Sequence, residues 1–434
     1  MKVLVVGSGG REHALCWKLR QSPELKELYC APGNPGIGEI ADLVPMASEE
    51  VHRLADFAAA LKMDLTVIGP ELPLSLGLAD ELRNRGLAVF GPSRVAAELE
   101  ASKVFAKLFM QRHSIPTPEF LVAHDRQEAE KAAAYFGFPV VLKADGLASG
   151  KGVMIPQDAE ELEAALSSLF DERRFGAAAE RVVVERCLSG EEVSFIALSD
   201  GEQILPFATS KDYKRLGDGD TGPNTGGMGA HSPSGVLSPR DGTTVLEKIL
   251  QPTIAGMAEE NRRFVGVLYA GLMLTEEGPQ VLEYNVRFGD PEAQVLMLRL
   301  ENDLLPVLVD GAAGNFGAHR LRFRKEAAAC VVLASAGYPT KASRGEVIEG
   351  LEAASAFPGV EIFHAATSEK DGQVLTAGGR VLNVCALGPR LVDALRRAYQ
   401  AAGVLHWPGK IQRTDIGRRV LEASALRRGS LSES

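Results

Sequence analysis

The chain has no closely spaced cysteines. Its five, Cys16, Cys30, Cys187, Cys330 and Cys385, are odd in number, scattered, and form no CxxC pair. That suits free thiols in a reducing cytosol better than a disulfide frame or a zinc site. The eight histidines show no metal-type spacing either. No uncharged apolar run approaches the ~18 residues that a membrane-spanning helix needs. The start, MKVLVVGSGGREHA, breaks its apolar run with glycines and charges, so it does not read as a secretory leader. Positive charge is in deficit, with 47 Lys and Arg against 57 Asp and Glu and a net charge of −10. This argues against nucleic-acid or membrane partners but leaves local basic clusters free to bind small anions. Internal repeats and low-complexity linkers are absent.

What is present is a globular composition, 45% hydrophobic and 24% charged, in 434 residues. That length is too great for one ordinary core, so a cytoplasmic multidomain protein is expected. KVLVVGSGG reads as a buried strand, a glycine turn and a helix from about Arg11 to Gln21. DLTVIGPE and GLAVFGPS repeat the strand-then-turn pattern, which implies βαβ units and a parallel sheet over 1–117. Ser93 is the expected N-cap of a helix running to about His113. A smaller unit, 118–190, contains helices near Asp125–Phe136 and Ala159–Phe170 and could move as a lid. Over 191–320, three strands flank SKDYKRLGDGDTGPNTGGMGAHSP, a stretch without apolar runs that reads as a functional loop. A β-rich unit follows over 321–434, with a helix near Val392–Ala402. The expected fold class is therefore α/β and α+β multidomain.

Three stretches point to chemistry. GSGGREH has two glycines of a dinucleotide fingerprint, Gly7 and Gly9, but Glu12 where the third should stand. A carboxylate there would face a pyrophosphate. What remains is either an ordinary tight turn or an anion site at a helix N-terminus, built from Gly9, Gly10 and Arg11.

VVLKADGLASGKGVMI encloses only three residues between Gly146 and Gly150 and has Gly152 after Lys151. A Walker A loop needs four and a magnesium-binding hydroxyl, so this is not one. It joins two strand-like runs, as an ordinary hairpin would. It would equally serve as a flap over a triphosphate, with Gly146, Ser149, Gly150 and Lys151 on the phosphates and Lys143 as a point charge.

In VLEYNVRFGDPE, strand alternation puts Glu283, Asn285 and Arg287 on one face and Leu282, Tyr284 and Val286 on the other. Glu283 and Asn285 would lie roughly 6.6 Å apart along the strand, close enough to converge on a cation. Hard oxygen ligands suit magnesium on ATP phosphates. Arg287 could clamp a phosphate or carboxylate. A solvated strand face is the plainer reading, but asparagine is uncommon inside strands.

Together the glycine hairpin, the lysines, ERCLSGEEVS and the E-x-N-x-R strand resemble the ATP-grasp fold, in which ATP lies between two α+β subdomains. The resemblance implies Glu185, Arg186, Cys187 and Leu188 on the adenine side, Glu192 on the ribose, and Lys103 and Lys143 as the ATP-contacting lysines. In one order, GSGGREHA, APGNPG, VIGPELPL, KADGLASGKGV, DTGPNTGGMGA, YAGLML and NVRFGDPE fill about residues 1–425. That series resembles the phosphoribosylamine–glycine ligase family of purine biosynthesis. Arg186 and Cys187 stand where members often have Glu and Phe, and Tyr284 replaces a frequent Phe; the hinge contributes backbone, so ATP use is still implied.

The family implies a monomer acting on glycine, 5-phosphoribosylamine and ATP with Mg2+ or Mn2+ on Glu283 and Asn285. Arg287, Lys143 and Asp220 are then the expected catalytic residues. Gly9, Gly10, Arg11, Asn224 and Arg287 are the expected substrate contacts. A dinucleotide oxidoreductase, a non-catalytic ATP sensor and another ATP-grasp ligase are the competing readings.

Overall fold

The computed structural model describes residues 1–147, 152–172 and 180–422. Its architecture is the mixed α/β and α+β multidomain one expected from the sequence. Five parallel strands open the chain, in the order Asp42–Leu43, Glu27–Pro32, Lys2–Gly7, Leu65–Ile68, Val89–Phe90. Val3 to Val6 are fully buried because helices cover both faces of the sheet, which is why KVLVV is a continuous apolar run rather than an alternating one. Connections leave the central strand in opposite directions, so a crevice opens beyond the strand ends. Arg11 and Glu71, which follow two of those ends, face it.

Helix boundaries follow local chemistry. The first helix is Gly10–Leu19. The helix expected from Ser93 instead forms two pieces, Glu98–Ala101 and Lys103–Arg112. Ser102 caps the second by accepting the Phe105 N–H at 3.0 Å, which satisfies an orphan donor that Ser93 is too far away to reach. In the lid unit, Asp125 caps Arg126–Phe136 through the Glu128 N–H at 2.8 Å. That helix packs on an antiparallel sheet of Phe120–Ala123, Val182–Arg186, Val140–Ala144 and Val153–Met154. Ala123, Val140, Leu142 and Val184 give the unit its own core.

A four-stranded antiparallel sheet carries Glu191–Asp200, Val265–Thr275 and Gly278–Asn285. Between its strands, the stretch expected to be a loop forms four short strands, Lys211–Asp212, Arg215–Gly217, Thr221–Asn224 and Gly229–Ser232. They lack apolar runs because close backbone approach holds them: a Cβ on Gly229 would lie 2.7 Å from the Cys330 carbonyl oxygen. Gly229–Ser232 pairs with Ala327–Ala334, which pairs with Arg380–Gly388 and, beyond it, Val360–His364. One sheet therefore crosses the division drawn at residue 320. The closing helix is Leu391–Val404.

The N-terminal motifs also reach this C-terminal sheet. The His364 backbone N–H donates to His13 Nδ1 at 2.8 Å, and Asn34 donates to the carbonyls of Ser8 and His364, each at 2.9 Å. A Cβ on Gly36 would fall 2.5 Å from the His13 ring and 2.6 Å from His364, so the two histidines close over a bare backbone. Burial, then the neighbouring His364, lowers the His13 pKa from the ordinary 6.5 to about 3. Its folded pKa lies below the unfolded one, so protons favour the unfolded chain and stability falls as pH drops from about 6.5 toward 3. Denaturant unfolding between pH 6.5 and 4 should show a shallower acid loss for His13→Gln than for the native chain, by up to about 1.4 kcal/mol per pH unit. Parallel curves would remove His13 from the acid response.

Candidate active site

The four units meet at a cleft of about 670 Å³. Its walls hold most of the residues singled out in the sequence. One wall is electropositive. Lys103 starts its helix at the cleft and donates to the Gly146 carbonyl at 3.0 Å, across from the glycine hairpin. Lys143 and Lys107 both pair with Glu185, and all three side chains are buried. Lys143 also donates to the Leu282 carbonyl at 2.9 Å, and Lys107 to Thr117 Oγ1 at 2.7 Å. Burial pulls the Lys107 pKa down to about 8, although Glu185 opposes it. Burial works against ionisation of Glu185, yet the two lysines outweigh it and keep its pKa below the ordinary value. The side chain of Glu185 is thus committed to lysines. Arg186, Cys187 and Leu188 continue along the cleft, with Arg186 turned outward to Glu119 at 2.7 Å. Ser149, Gly150 and Lys151 lie outside the described residues.

The opposite wall is acidic. Glu283 and Asn285 line it from the strand Gly278–Asn285. A register shift opposite Gly271 and Leu272 bulges this strand. Tyr284 and Val286 go into the core as alternation requires, but Leu282 turns to the cleft instead of joining them, because the bulge adds a residue there. Burial would raise the Glu283 pKa, but Lys214, Lys143 and Lys103 prevail and hold it at about 2. Lys214 Nζ sits 3.3 Å from Glu192 and 3.6 Å from Glu283. Asp212 lies nearby. Burial lifts its pKa to about 7 against the pull of Lys214, with Glu292, Glu192 and Glu283 adding to the rise. A carboxylate ionised throughout the neutral range beside an amide oxygen fits a hard divalent cation that completes its shell with phosphate and water.

Arg287 is half-buried between Glu71, 3.1 Å from its Nε, and Glu100, 2.9 Å from its Nη2. At the helix N-terminus, the Gly9 N–H donates to Glu12 at 2.6 Å and the Arg11 N–H to Asp290 at 3.4 Å. Two of the expected anion donors, Gly9 and Arg11, are therefore engaged from within. Glu12 packs where a third fingerprint glycine would admit a pyrophosphate, and a Cβ on Gly10 would fall 2.1 Å from Asn383. Arg11 itself reaches Glu12 at 2.5 Å and the Phe288 carbonyl at 3.1 Å, at the edge of the cleft. Asn224 faces the cleft from its hairpin. Asp220 is held by Arg413 at 2.7 Å and Arg419 at 3.0 Å, which anchors that hairpin to the C-terminal segment.

Sequence reasoning missed Lys107, Asp212, Lys214, Glu71, Glu100 and Arg380. Lys107 stood one helical turn after Lys103, a visible signal. The others depend on chain segments far apart. Arg380, from the C-terminal sheet, donates to the Gly226 carbonyl at 2.7 Å and the Asp290 carbonyl at 2.5 Å, joining the hairpin region to the Gly-Asp-Pro-Glu turn.

Two facing α+β subdomains, a lysine wall and an oxygen-ligand wall define the class as ATP-grasp. Residues 1–100, 101–293 and 328–419 match the N domain, the ATP-grasp (A) domain and the C domain of phosphoribosylglycinamide synthetase. The chain belongs to that family. It is 48% identical over 99% of its length to the phosphoribosylamine–glycine ligase of Brucella melitensis, covering all of that protein. It is 47% identical to the Pseudomonas aeruginosa ligase, over 97% of this chain and 98% of that one. A solved phosphoribosylamine–glycine ligase from Thermotoga maritima superposes with a TM-score of 0.82 at 36% identity, covering 96% of this chain and 100% of that one. The biotin carboxylase domain of Hydrogenobacter thermophilus 2-oxoglutarate carboxylase, 17% identical, shares the fold, with a TM-score of 0.72 over 95% and 91% of the two chains.

Removing one partner of a buried ion pair leaves its neighbours uncompensated. Glu185→Gln should cost about 3–5 kcal/mol in denaturant unfolding. A loss below about 1 kcal/mol would mean that water screens the lysine pair.

Proposed function

We propose that this protein is the ATP-dependent ligase that joins glycine to 5-phosphoribosylamine, giving N1-(5-phosphoribosyl)glycinamide, ADP and phosphate in purine biosynthesis. The relatives named for that reaction match the chain end to end. The single observation that carries the chemical reading is the cleft's polarity: a lysine wall for phosphates faces a carboxylate–amide pair for a divalent cation. We read the protein as a monomer that takes its small-molecule substrates, glycine, 5-phosphoribosylamine and ATP, in this cleft. Cytoplasmic placement rests on the reading of the five cysteines as free thiols; among the described residues no helix is long and apolar enough to cross a membrane.

A glycine carboxylate oxygen attacks the γ-phosphorus, the bond to the β–γ bridging oxygen breaks, and ADP leaves with glycyl phosphate formed. The amine of phosphoribosylamine then attacks the glycyl carbonyl; phosphate departs and carries away the amine proton. Phosphoryl transfer depends chiefly on positioning and charge neutralisation. Lys103 and Lys143 meet the phosphates, with Gly146, Ser149, Gly150 and Lys151 as the flap. Adenine lies along the backbone of Glu185, Arg186, Cys187 and Leu188, with ribose at Glu192. Glu283 and Asn285 would hold Mg2+ or Mn2+, which when bound neutralises phosphate oxygens.

Arg287 already balances Glu71 and Glu100, so its task is to fix that corner of the cleft beside the reacting carboxylate. Arg11 is assigned to the phosphoribose end, with Gly9 and Gly10 allowing close approach. Asn224 contributes from the hairpin, which Asp220 helps to hold in place. Covering the acyl phosphate in this way excludes water that would hydrolyse it.

Phosphate release with ATP and Mg2+ should require glycine and phosphoribosylamine together, and omission of either should abolish product. Replacing both Glu283 and Asn285 by alanine should lower product formation by at least about 100-fold. Full product formation by that variant would refute the reading, as would NADH binding without ATP turnover.

A further inference from the structure

The acidic wall already contains a cation of its own. Lys214 Nζ lies 3.3 Å from Glu192 and 3.6 Å from Glu283, the carboxylate assigned to the divalent ion. Its main chain is fixed, because its carbonyl accepts from the Thr225 N–H at 2.7 Å and from Thr225 Oγ1 at 2.8 Å. Its side chain is one-third exposed and reaches the carboxylates across the cleft. Of the other lysines that bear on this carboxylate, Lys143 is committed to Glu185 and the Leu282 carbonyl and Lys103 to the Gly146 carbonyl. Glu283 thus has one ammonium ion-paired with it among the described residues.

We infer that Lys214 is a built-in placeholder for the divalent cation: its ammonium and the metal compete for Glu283, so the metal enters with nucleotide and not before it. This rests on the ligase reading's assignment of the metal to Glu283 and Asn285. Like charges a few ångströms apart in a partly desolvated cleft repel strongly, so a bare divalent ion can occupy Glu283 only if the ammonium leaves. Alone, the ion offers the displaced ammonium no partner. A triphosphate does, since its oxygens accept the ammonium while bridging to the metal. The placeholder also offsets part of the acidic wall's charge in the empty protein, so the site stays formed without collecting free divalent ions.

The test is Mn2+ binding to the full-length protein, followed by electron paramagnetic resonance, with and without a non-hydrolysable ATP analogue. Without nucleotide, Lys214→Met should bind Mn2+ at least tenfold more tightly than the native chain. Lys214→Arg, which keeps the charge, should not. The gain should vanish in the Lys214→Met/Glu283→Gln double variant, which ties it to that carboxylate. A lysine with only a packing role would produce no gain on removal. If Lys214→Met binds nucleotide-free Mn2+ no better than the native chain while the native chain still takes up Mn2+ with the analogue, the placeholder is overturned and the ligase reading stands. Failure of the native chain to bind Mn2+ even with the analogue would overturn both. Circular dichroism melting of each variant excludes unfolding as the cause of lost binding.

Discussion

Glu185 holds two buried ammonium groups, Lys107 and Lys143, within the same wall. Ions are costly to bury, and such a group persists only where each charge finds a partner. One carboxylate between two lysines leaves that wall with surplus positive charge. A polyanion is the natural complement, and the placement of the surplus decides where phosphates can lie. The lid sheet that carries Lys143 and Glu185 and the helix that carries Lys107 are held in register by this pairing, so the lid and the N-terminal unit are joined electrostatically at the cleft.

The facing wall solves the inverse problem. Asp212, Glu192 and Glu283 would repel one another in an empty cleft, and Lys214 offsets them. Arg287 likewise balances Glu71 and Glu100, and Arg380 faces Asp290 at 3.5 Å. Each acidic cluster thus carries its own basic residue. The site is preorganised before ligand arrives, and charge on the ligand is met by exchange of partners rather than by new ordering.

The C-terminal unit is part of the site rather than an appendage. Its strands extend a sheet begun by Gly229–Ser232, its Arg380 joins the hairpin region to the Asp290 turn, and its Arg413 secures Asp220. His364 and Asn383 receive the first helix through His13 and Gly10. Motifs at the chain's beginning therefore depend on residues some 350 positions later for their geometry.

The sequence by itself determined the parallel opening sheet, the strands and helices of 118–190 and the strand Gly278–Asn285, because each is written in local periodicity: apolar runs, capping residues and turn residues. It also disfavoured a dinucleotide site by placing Glu12 at the third fingerprint position, and Glu12 packs closely against Gly7 and Gly9. Only the tertiary structure decided which charges face each other. Glu185 lies far along the chain from Lys107, and Lys214 from Glu283, so no local pattern couples them. Among the short strands over 211–232, Gly229–Ser232 was likewise settled by pairing with the distant Ala327–Ala334, whereas the Ser102 cap and the Arg215–Gly217 to Thr221–Asn224 hairpin are local. Backbone hydrogen bonds and buried charges must be satisfied by whatever the fold brings near, and that neighbourhood is a property of the whole chain.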